Sequence, residues 1–470
     1  MQSRERANEG DGGNPHPRRG QAGRTAHISF EGRCLYLVKK LGPVKMARHQ
    51  QNTSVKPSNL NSGSAKSEDR LAPTAPGAPE WDFVLAASCA DPLESGLGRI
   101  RCLLDPSVRE RPVEWEAVFR LADHHGTSWL LYRNLSRLGD VVPSSVLATL
   151  RQSYERNVHK SLFLARELIR ILDCLDAVGI EAIPYKGIVL SEVYYGDMAL
   201  RQSGDIDLFA RKQDVARIKS AVRELEFTQR VPIPEDAEED YIASGYECTF
   251  DSPAGRNLLE LQWALQPRFY AVDFDMDGLF ERAVNVAIVG RRVKTPSPED
   301  LLLVLSVHAA KHVWGRLIWL CDIEQILKLG KLNWDWVQAH ARTFGIERIL
   351  HVTLLLANRL LATAIPAPIE KSILEDRAAR AFADEIAVGM ARGVSYEEQQ
   401  VSYFRLMMRL REHRADRLRF LTRLTFTPGP GEWEVVRLPK PLFPLYRLVR
   451  LARLASKFAR GYGSKQRMLA

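Results

Sequence analysis

Ile183-Pro184-Tyr185-Lys186-Gly187, a short amphipathic run, and then Arg201-Gln202-Ser203-Gly204-Asp205-Ile206-Asp207-Leu208-Phe209 form the stretch that decides the reading of this chain. Side chains alternate along a strand, so Asp205 and Asp207 share one face, while Ile206, Leu208 and Phe209 pack the strand into a sheet. Two carboxylates on one face can grip a divalent cation together. Hard oxygen ligands of this kind suit Mg²⁺ or Mn²⁺, ions that enzymes commonly share with substrate phosphates. A strand end with two solvated carboxylates explains most isolated Asp-x-Asp pairs, and the surroundings lift this pair above that explanation. Gly179 to Tyr185 reads as a short buried strand entered from a helix, and Lys186-Gly187 opens a helix through Ile188, Val189, Leu190, Val193 and Tyr194. Glycine at such a junction lets backbone approach a ligand, and the free N–H groups of the next helix favour an anion. Lys186 adds positive charge there. Arg201, on the loop before the acids, has two equal readings: a guanidinium fork for phosphate, or a salt bridge to a nearby carboxylate.

Two-metal chemistry asks for a third carboxylate on a neighbouring strand. Downstream, Tyr246 to Phe250 and Asn257 to Trp263 flank the turn-rich Asp251-Ser252-Pro253-Ala254-Gly255-Arg256, which reads as a hairpin with a longer loop. Glu260 stands between Leu259 and Leu261, the same apolar-acid-apolar pattern as around Asp207, and is the candidate; Glu247, at the outset of its arm, ranks below it.

On these residues the chain resembles the uncharacterised bacterial nucleotidyltransferase family of the DNA polymerase β-like superfamily. The likeness rests on Lys186-Gly187 with its apolar helix, Tyr195-Gly196-Asp197, Arg201, Asp205-x-Asp207, and Glu260 with Trp263. It extends upstream to Trp115 and Leu121 to Gly126, and downstream to Pro298 to Leu302, His308 to His312, Trp314, Leu317 and Asp322. Thr427-Pro428, Leu438-Pro439, Leu445-Tyr446 and Arg450 carry it into the tail. One departure stands out: relatives often place histidine after Glu260-Leu261, and here it is Gln262. The resemblance implies an α+β fold, a small mixed polymerase β-like sheet between two α-helical domains. It also implies a metal-dependent enzyme that moves NMP from an NTP to an acceptor hydroxyl. Asp205, Asp207 and Glu260 would be catalytic and metal-binding, and Lys186, Gly187, Arg201 and Lys311 would hold the nucleotide.

At 470 residues and 45% hydrophobic content, the chain has the length for two or three domains and the apolar content for real cores. Residues 1–78 are rich in Gly, Pro, Ser, Asn, Gln and Arg without apolar periodicity and are expected to be disordered. Their mildly apolar patch, His27 to Met46, is too short and too charged for a membrane span. Met46 offers a second start, and no signal peptide is expected. Residues 79–178 form a helical lead-in, with Leu162, Ala165, Leu168, Ile169, Leu172 and Leu175 on one buried face. Residues 179–294 hold the strands and a crossover helix through Val215, Ile218, Val222 and Leu225, and 295–470 are helical again with a basic tail. Six cysteines without Cys-x-x-Cys spacing read as buried or idle thiols in a reducing cytoplasm, and no zinc site follows from them. The net charge of +9 favours anionic partners. After Glu434 no acid occurs while nine Lys or Arg residues accumulate, and Leu445, Leu448, Leu451 and Leu454 recur among them. The favoured reading docks that leucine face on the body and leaves the basic residues solvated; the rival is a surface for nucleic acid or membrane.

His308 and His312 lie one helical turn apart, but Ala309 occupies the place where a zinc hydrolase needs glutamate. They are read first as packing residues, second as a helix presenting Lys311 and a histidine to phosphates. His124 and His125 read as structural, Tyr185 and Trp263 as core aromatics, and Asp322 as a tether of its helix. The leading function is transfer of NMP to the hydroxyl of an RNA, a small molecule or a protein. Its rivals are a non-catalytic nucleotide-binding or scaffolding protein of the same fold and, third, an Asp-x-Asp glycosyltransferase. The glycosyltransferase would want an alternating strand-helix half before the motif, where this chain is helical. An aspartyl phosphatase would want Gly and Thr where Leu208 and Phe209 stand.

Overall fold

The computed structural model describes residues 79–89, 94–107, 111–233, 238–253, 255–329, 331–393 and 401–427, with scattered residues of 436–456. The head expected to be disordered, Met46 included, lies outside the described residues.

Four short helices, α1 (Pro79–Ala87), α2 (Glu94–Leu104), α3 (Trp115–His125) and α4 (Ser128–Leu135), lead into α5 (Ser144–Ala177). At 34 residues, α5 is roughly 51 Å long. Its buried face toward the sheet runs Leu164, Ala165, Leu168, Ile171, Leu172 and Leu175, the i, i+3, i+4, i+7 spacing of an amphipathic helix. Leu162 and Ile169, expected on that face, are exposed and half-buried respectively, because at about 100° per residue both lie to one side of the stripe centred on Leu164, Leu168 and Leu175.

The sheet has five strands: β1 (Ala182–Pro184), β2 (Ile206–Ala210), β3 (Thr228–Gln229), β4 (Glu247–Ser252) and β5 (Gly255–Gln262), in the order β1-β2-β5-β4-β3. Only β2 and β5 pair in parallel; the other neighbours are antiparallel. Helix α6 (Ile188–Tyr194) connects β1 to β2, and α7 (Val215–Glu224) follows β2. Alternation sorts the strand residues cleanly. Ile206, Leu208, Cys248, Phe250, Leu259 and Leu261 enter one core with the buried face of α5 and with Val215, Ile218 and Val222 of α7. The opposite face carries Asp207, Phe209, Glu260, Gln262 and Glu247, since residues in register across neighbouring strands point the same way.

That second face looks toward the C-terminal helices. After α8 (Glu238–Ser244), α9 (Met276–Glu281) and the hairpin β6 (Val284–Ile288) to β7 (Arg291–Thr295), the chain enters α10 (Pro298–Lys311). Its start is written locally: Ser297 caps it by accepting from the Asp300 amide at 3.1 Å, and Pro298 takes the first turn. Helices α11 (Leu317–Leu329), α12 (Trp334–Thr343), α13 (Glu347–Leu361), α14 (Ala367–Glu375), α15 (Arg377–Ala391), α16 (Val401–Arg409) and α17 (Arg414–Phe426) complete the body. The lead-in helices and these later helices share one core, into which the sheet sends Ile183, Tyr185 and Phe209. The fold is thus α+β, a small mixed sheet flanked by helices. Among the described residues no helix is long and apolar enough to cross a membrane. Five cysteines (89, 102, 174, 248 and 321) are free thiols, and Cys34 lies outside the described residues.

The tail departs from the favoured reading. Leu445, Leu448 and Leu451 are exposed, whereas Tyr446 and Arg450 are buried. Tyr446 donates its hydroxyl hydrogen to the Val436 carbonyl and accepts from the Leu438 amide. Arg450 donates to the Leu424 carbonyl at 2.6 Å and lies over the Phe269 ring. Arg450 docks the segment on the body, Tyr446 ties it to the preceding stretch of the tail, and Leu445, Leu448 and Leu451 are turned out; Leu454 lies outside the described residues.

Candidate active site

The site begins at Gly187. Its φ of 57° with ψ of −122° is a conformation open only to glycine, and a Cβ there would stand 3.3 Å from the Asp205 carbonyl oxygen. The sequence reading assigned this glycine to backbone approach on a ligand; here it lets the β1–α6 turn press against the loop that delivers the acids. That loop is pinned on two sides. From α5, Asn157 donates to the Ala199 carbonyl at 2.8 Å and the Tyr154 hydroxyl to Asp197 at 3.0 Å. From α11, Asp322 receives Arg201 through two bonds of 2.7 and 2.9 Å and the Tyr195 hydroxyl at 2.8 Å.

Arg201 is therefore committed to the salt-bridge reading in this structure, with its remaining nitrogen directed at the Gln202 carbonyl and Ser203. It fixes the loop on which the acids sit, and it also lines the cavity above them, where the sequence reading expects it to meet the nucleotide. Asp322 tethers its helix, as its sequence position suggested.

Strand pairing does the next step. Asp207 on β2 and Glu260 on β5 are direct parallel partners, which sets their side chains side by side. Leu259 and Leu261 are both fully buried on the other face, so Glu260 points to the acid face. Asp205 precedes β2 on the same side. A cavity of about 390 Å³ opens over these groups, lined by Asp205, Asp207, Glu247 and Glu260, by Lys186 and Gly187, and on the far wall by His308, Lys311, His312, Arg316 and Trp319.

Charge crowding shows in the acids. Asp205 is pushed up to about 6 and Glu260 up to about 8, by burial first and then by the neighbouring Asp207. Lys186 responds oppositely. Burial favours its neutral form, but Asp207, whose Oδ1 it meets at 2.9 Å, outweighs that and holds the amine protonated. Among the described residues no group of three or more His, Cys, Asp or Glu side chains is close enough to hold a metal ion. The expected cradle of Asp205, Asp207 and Glu260 is thus on one face but not closed, and the Lys186 ammonium takes the Asp207 oxygen that a metal would use. The donor set nevertheless fits a hard divalent ion: three carboxylates, two of them raised by burial and then by the charge of Asp207, a repulsion that a cation would relieve.

Lys311 reaches the Tyr246 hydroxyl at 3.4 Å and lies over its ring. Gln262 receives the Tyr185 hydroxyl at 2.8 Å and donates to Glu247 at 3.3 Å. It thereby ties the Glu247 carboxylate to the acid row, which the sequence reading ranked low; the signal was available in the antiparallel register that pairs Glu247 with Gln262. Trp319 and Arg316 carried no motif and were missed. Trp314, quoted as a landmark, is fully buried core.

Residues 111–362 match the family described as "Uncharacterised nucleotidyltransferase". No curated protein matches the chain, and no solved structure does.

Proposed function

We propose, from the premise that the chain belongs to the uncharacterised nucleotidyltransferase family, that it transfers NMP from an NTP to an acceptor hydroxyl in the cavity above β2 and β5. The observation that carries this reading is the parallel register placing Asp207 beside Glu260, in a cavity that also holds Lys186 and Lys311. Asp205, Asp207 and Glu260 are the residues that would hold Mg²⁺ or Mn²⁺. Such ions, when bound, lower the pKa of the attacking hydroxyl and neutralise the reacting phosphates.

The chain's own groups do the rest. Lys186 and Lys311 attract the triphosphate, and transfer of Lys186 from Asp207 to a phosphate oxygen frees that carboxylate. Tyr195, Arg201 and Asp322 keep the acid-bearing loop in one position, as alignment of the reacting atoms requires. The acceptor oxygen bonds the α-phosphorus, the bond from that phosphorus to the α–β bridging oxygen breaks, pyrophosphate leaves, and the hydroxyl proton passes to Glu260. The acceptor classes are an RNA end, a small molecule or a protein hydroxyl.

A second reading, a nucleotide-binding protein without chemistry, is favoured by one observation: Lys186 neutralises Asp207 and leaves the acids short of a metal cradle. One experiment separates the two. Purified protein is incubated with each α-labelled NTP, Mg²⁺ or Mn²⁺ and cell extract, and label is followed into RNA, protein and small-molecule fractions. Transfer that disappears in Asp207→Asn is expected. Label transfer that persists in Asp207→Asn overturns the mechanism, and nucleotide binding without transfer in any fraction supports the second reading.

A further inference from the structure

The wall facing the acids is built by the turn between α10 and α11. Val313 and Trp314 both adopt positive φ, 50° and 49°, rare for a β-branched and a bulky residue. The turn is held by Trp314, fully buried, with its indole N–H donating to Thr353 at 2.9 Å. This irregular turn brings His312, at the end of α10, against Trp319 in the first turns of α11. Their ring centroids are 5.3 Å apart with planes tilted by 34°. His308 meets Trp319 edge-on at 5.4 Å and 84°, and His312 at 4.9 Å and 66°. Burial, then the charge of Lys186, keeps His308 far below its ordinary pKa, so it braces the pair as a neutral ring. All three line the cavity that holds Asp207 and Glu260. Trp319 is only partly buried, unlike Trp314, and the cavity beside it holds cations and carboxylates as well as uncharged groups.

A flat indole, braced by two imidazoles and partly open to a cavity that also holds Lys186, Lys311 and Arg316, suits an aromatic ring carried on a phosphate chain. Resting on the nucleotide reading above, we infer that Trp319, with His312 and His308 packed against it, is the platform on which the base of the NTP stacks. The triphosphate then runs from this wall toward Lys186 and the acids. Every base presents a π-face, so stacking of this kind tolerates all four bases; the wall holds a base without choosing strictly among them.

The test compares ATP with inorganic tripolyphosphate, which has the charge but no base. Dissociation constants are measured by calorimetry with Mg²⁺ for the wild-type chain, Trp319→Ala and Trp319→Phe, each checked for native circular dichroism. Trp319→Ala is expected to weaken ATP about tenfold, the scale of one base-aromatic stack, and to leave tripolyphosphate unchanged; Trp319→Phe recovers most of the ATP affinity. Equal weakening of both ligands, no weakening of ATP, or a Phe variant as poor as Ala overturns the platform while leaving the nucleotide reading standing. A wild-type chain that binds neither ligand overturns the nucleotide reading and the platform with it.

Discussion

At the scale of single residues, the acid row and Lys186 are in balance. Asp207 is compensated by an ammonium whose side chain is only 10% exposed, and breaking such a buried pair by removing one partner leaves an unpaid charge that costs about 3–5 kcal/mol. Lys186→Met is therefore expected to melt earlier than wild type in chelator. Because Asp207 is then open to a metal, the variant should bind Mn²⁺ without nucleotide about tenfold more tightly than wild type and regain much of its melting temperature with Mn²⁺. Thermal melts with and without Mn²⁺ check this, and an unchanged Mn²⁺ affinity would sink the idea that Lys186 occupies the metal's place. Glu260 gives the complementary case. Its folded pKa, about 8, lies above the ordinary value of about 4.3, so the folded state binds the extra proton across that window. Stability is then full below the unfolded pKa and declines as pH rises through the folded one. In chelator, Glu260→Gln should be more stable than wild type at pH 8 and indistinguishable at pH 4, in urea titrations, while losing turnover.

At the scale of elements, strand alternation was the most legible signal, because a pattern of period two fixes which residues face the core. Leu259-Glu260-Leu261 and Ile206-Asp207-Leu208 each state their face without help from distant contacts, and the parallel pairing sets them in register. The tail was legible only as amphipathic. Which face docks depended on Leu424 and Phe269, more than twenty residues and more than a hundred and seventy residues away from Arg450 in sequence, and no local period encodes them. Helix α15 offers a test of local encoding. Asp376 caps it, accepting from the Ala379 amide at 3.0 Å, and pairs with Arg348 at 3.1 Å and His351 at 3.3 Å. Burial would raise its pKa, yet His351, Ala379 and Arg348 hold it down to about 2. Its stabilising effect is therefore present above the unfolded value of about 3.9 and is lost as pH falls toward 2. Asp376→Ala is expected to cost about 1 kcal/mol or more at pH 7, with the gap to wild type closing between pH 4 and pH 2 in chemical unfolding.

At the scale of the whole molecule, the acids and the later helices belong to one working unit because Arg201 and Asp322, 121 residues apart, meet in a buried two-bond ion pair. The sequence showed both residues but not their meeting, since a side-chain pair across that distance leaves no periodic trace. Their side chains are 7% and 1% exposed, so removing one charge strands the other; Asp322→Leu alone should cost about 3–5 kcal/mol. Replacing both, as in Arg201→Met with Asp322→Leu, removes the stranded charge and should return most of that stability. The Tyr195 hydroxyl, which also uses Asp322, keeps the recovery incomplete. Catalysis divides the two roles of Arg201. If it positions the loop, the double variant folds well and binds NTP near wild-type affinity but turns over slowly, because the acids are no longer held in line with the phosphate. If Arg201 leaves Asp322 to grip phosphate, NTP affinity falls in the double variant by as much as in Arg201→Met alone. Urea unfolding and NTP titration of the four members of this cycle give both answers, and the buried ion pair argues for the first.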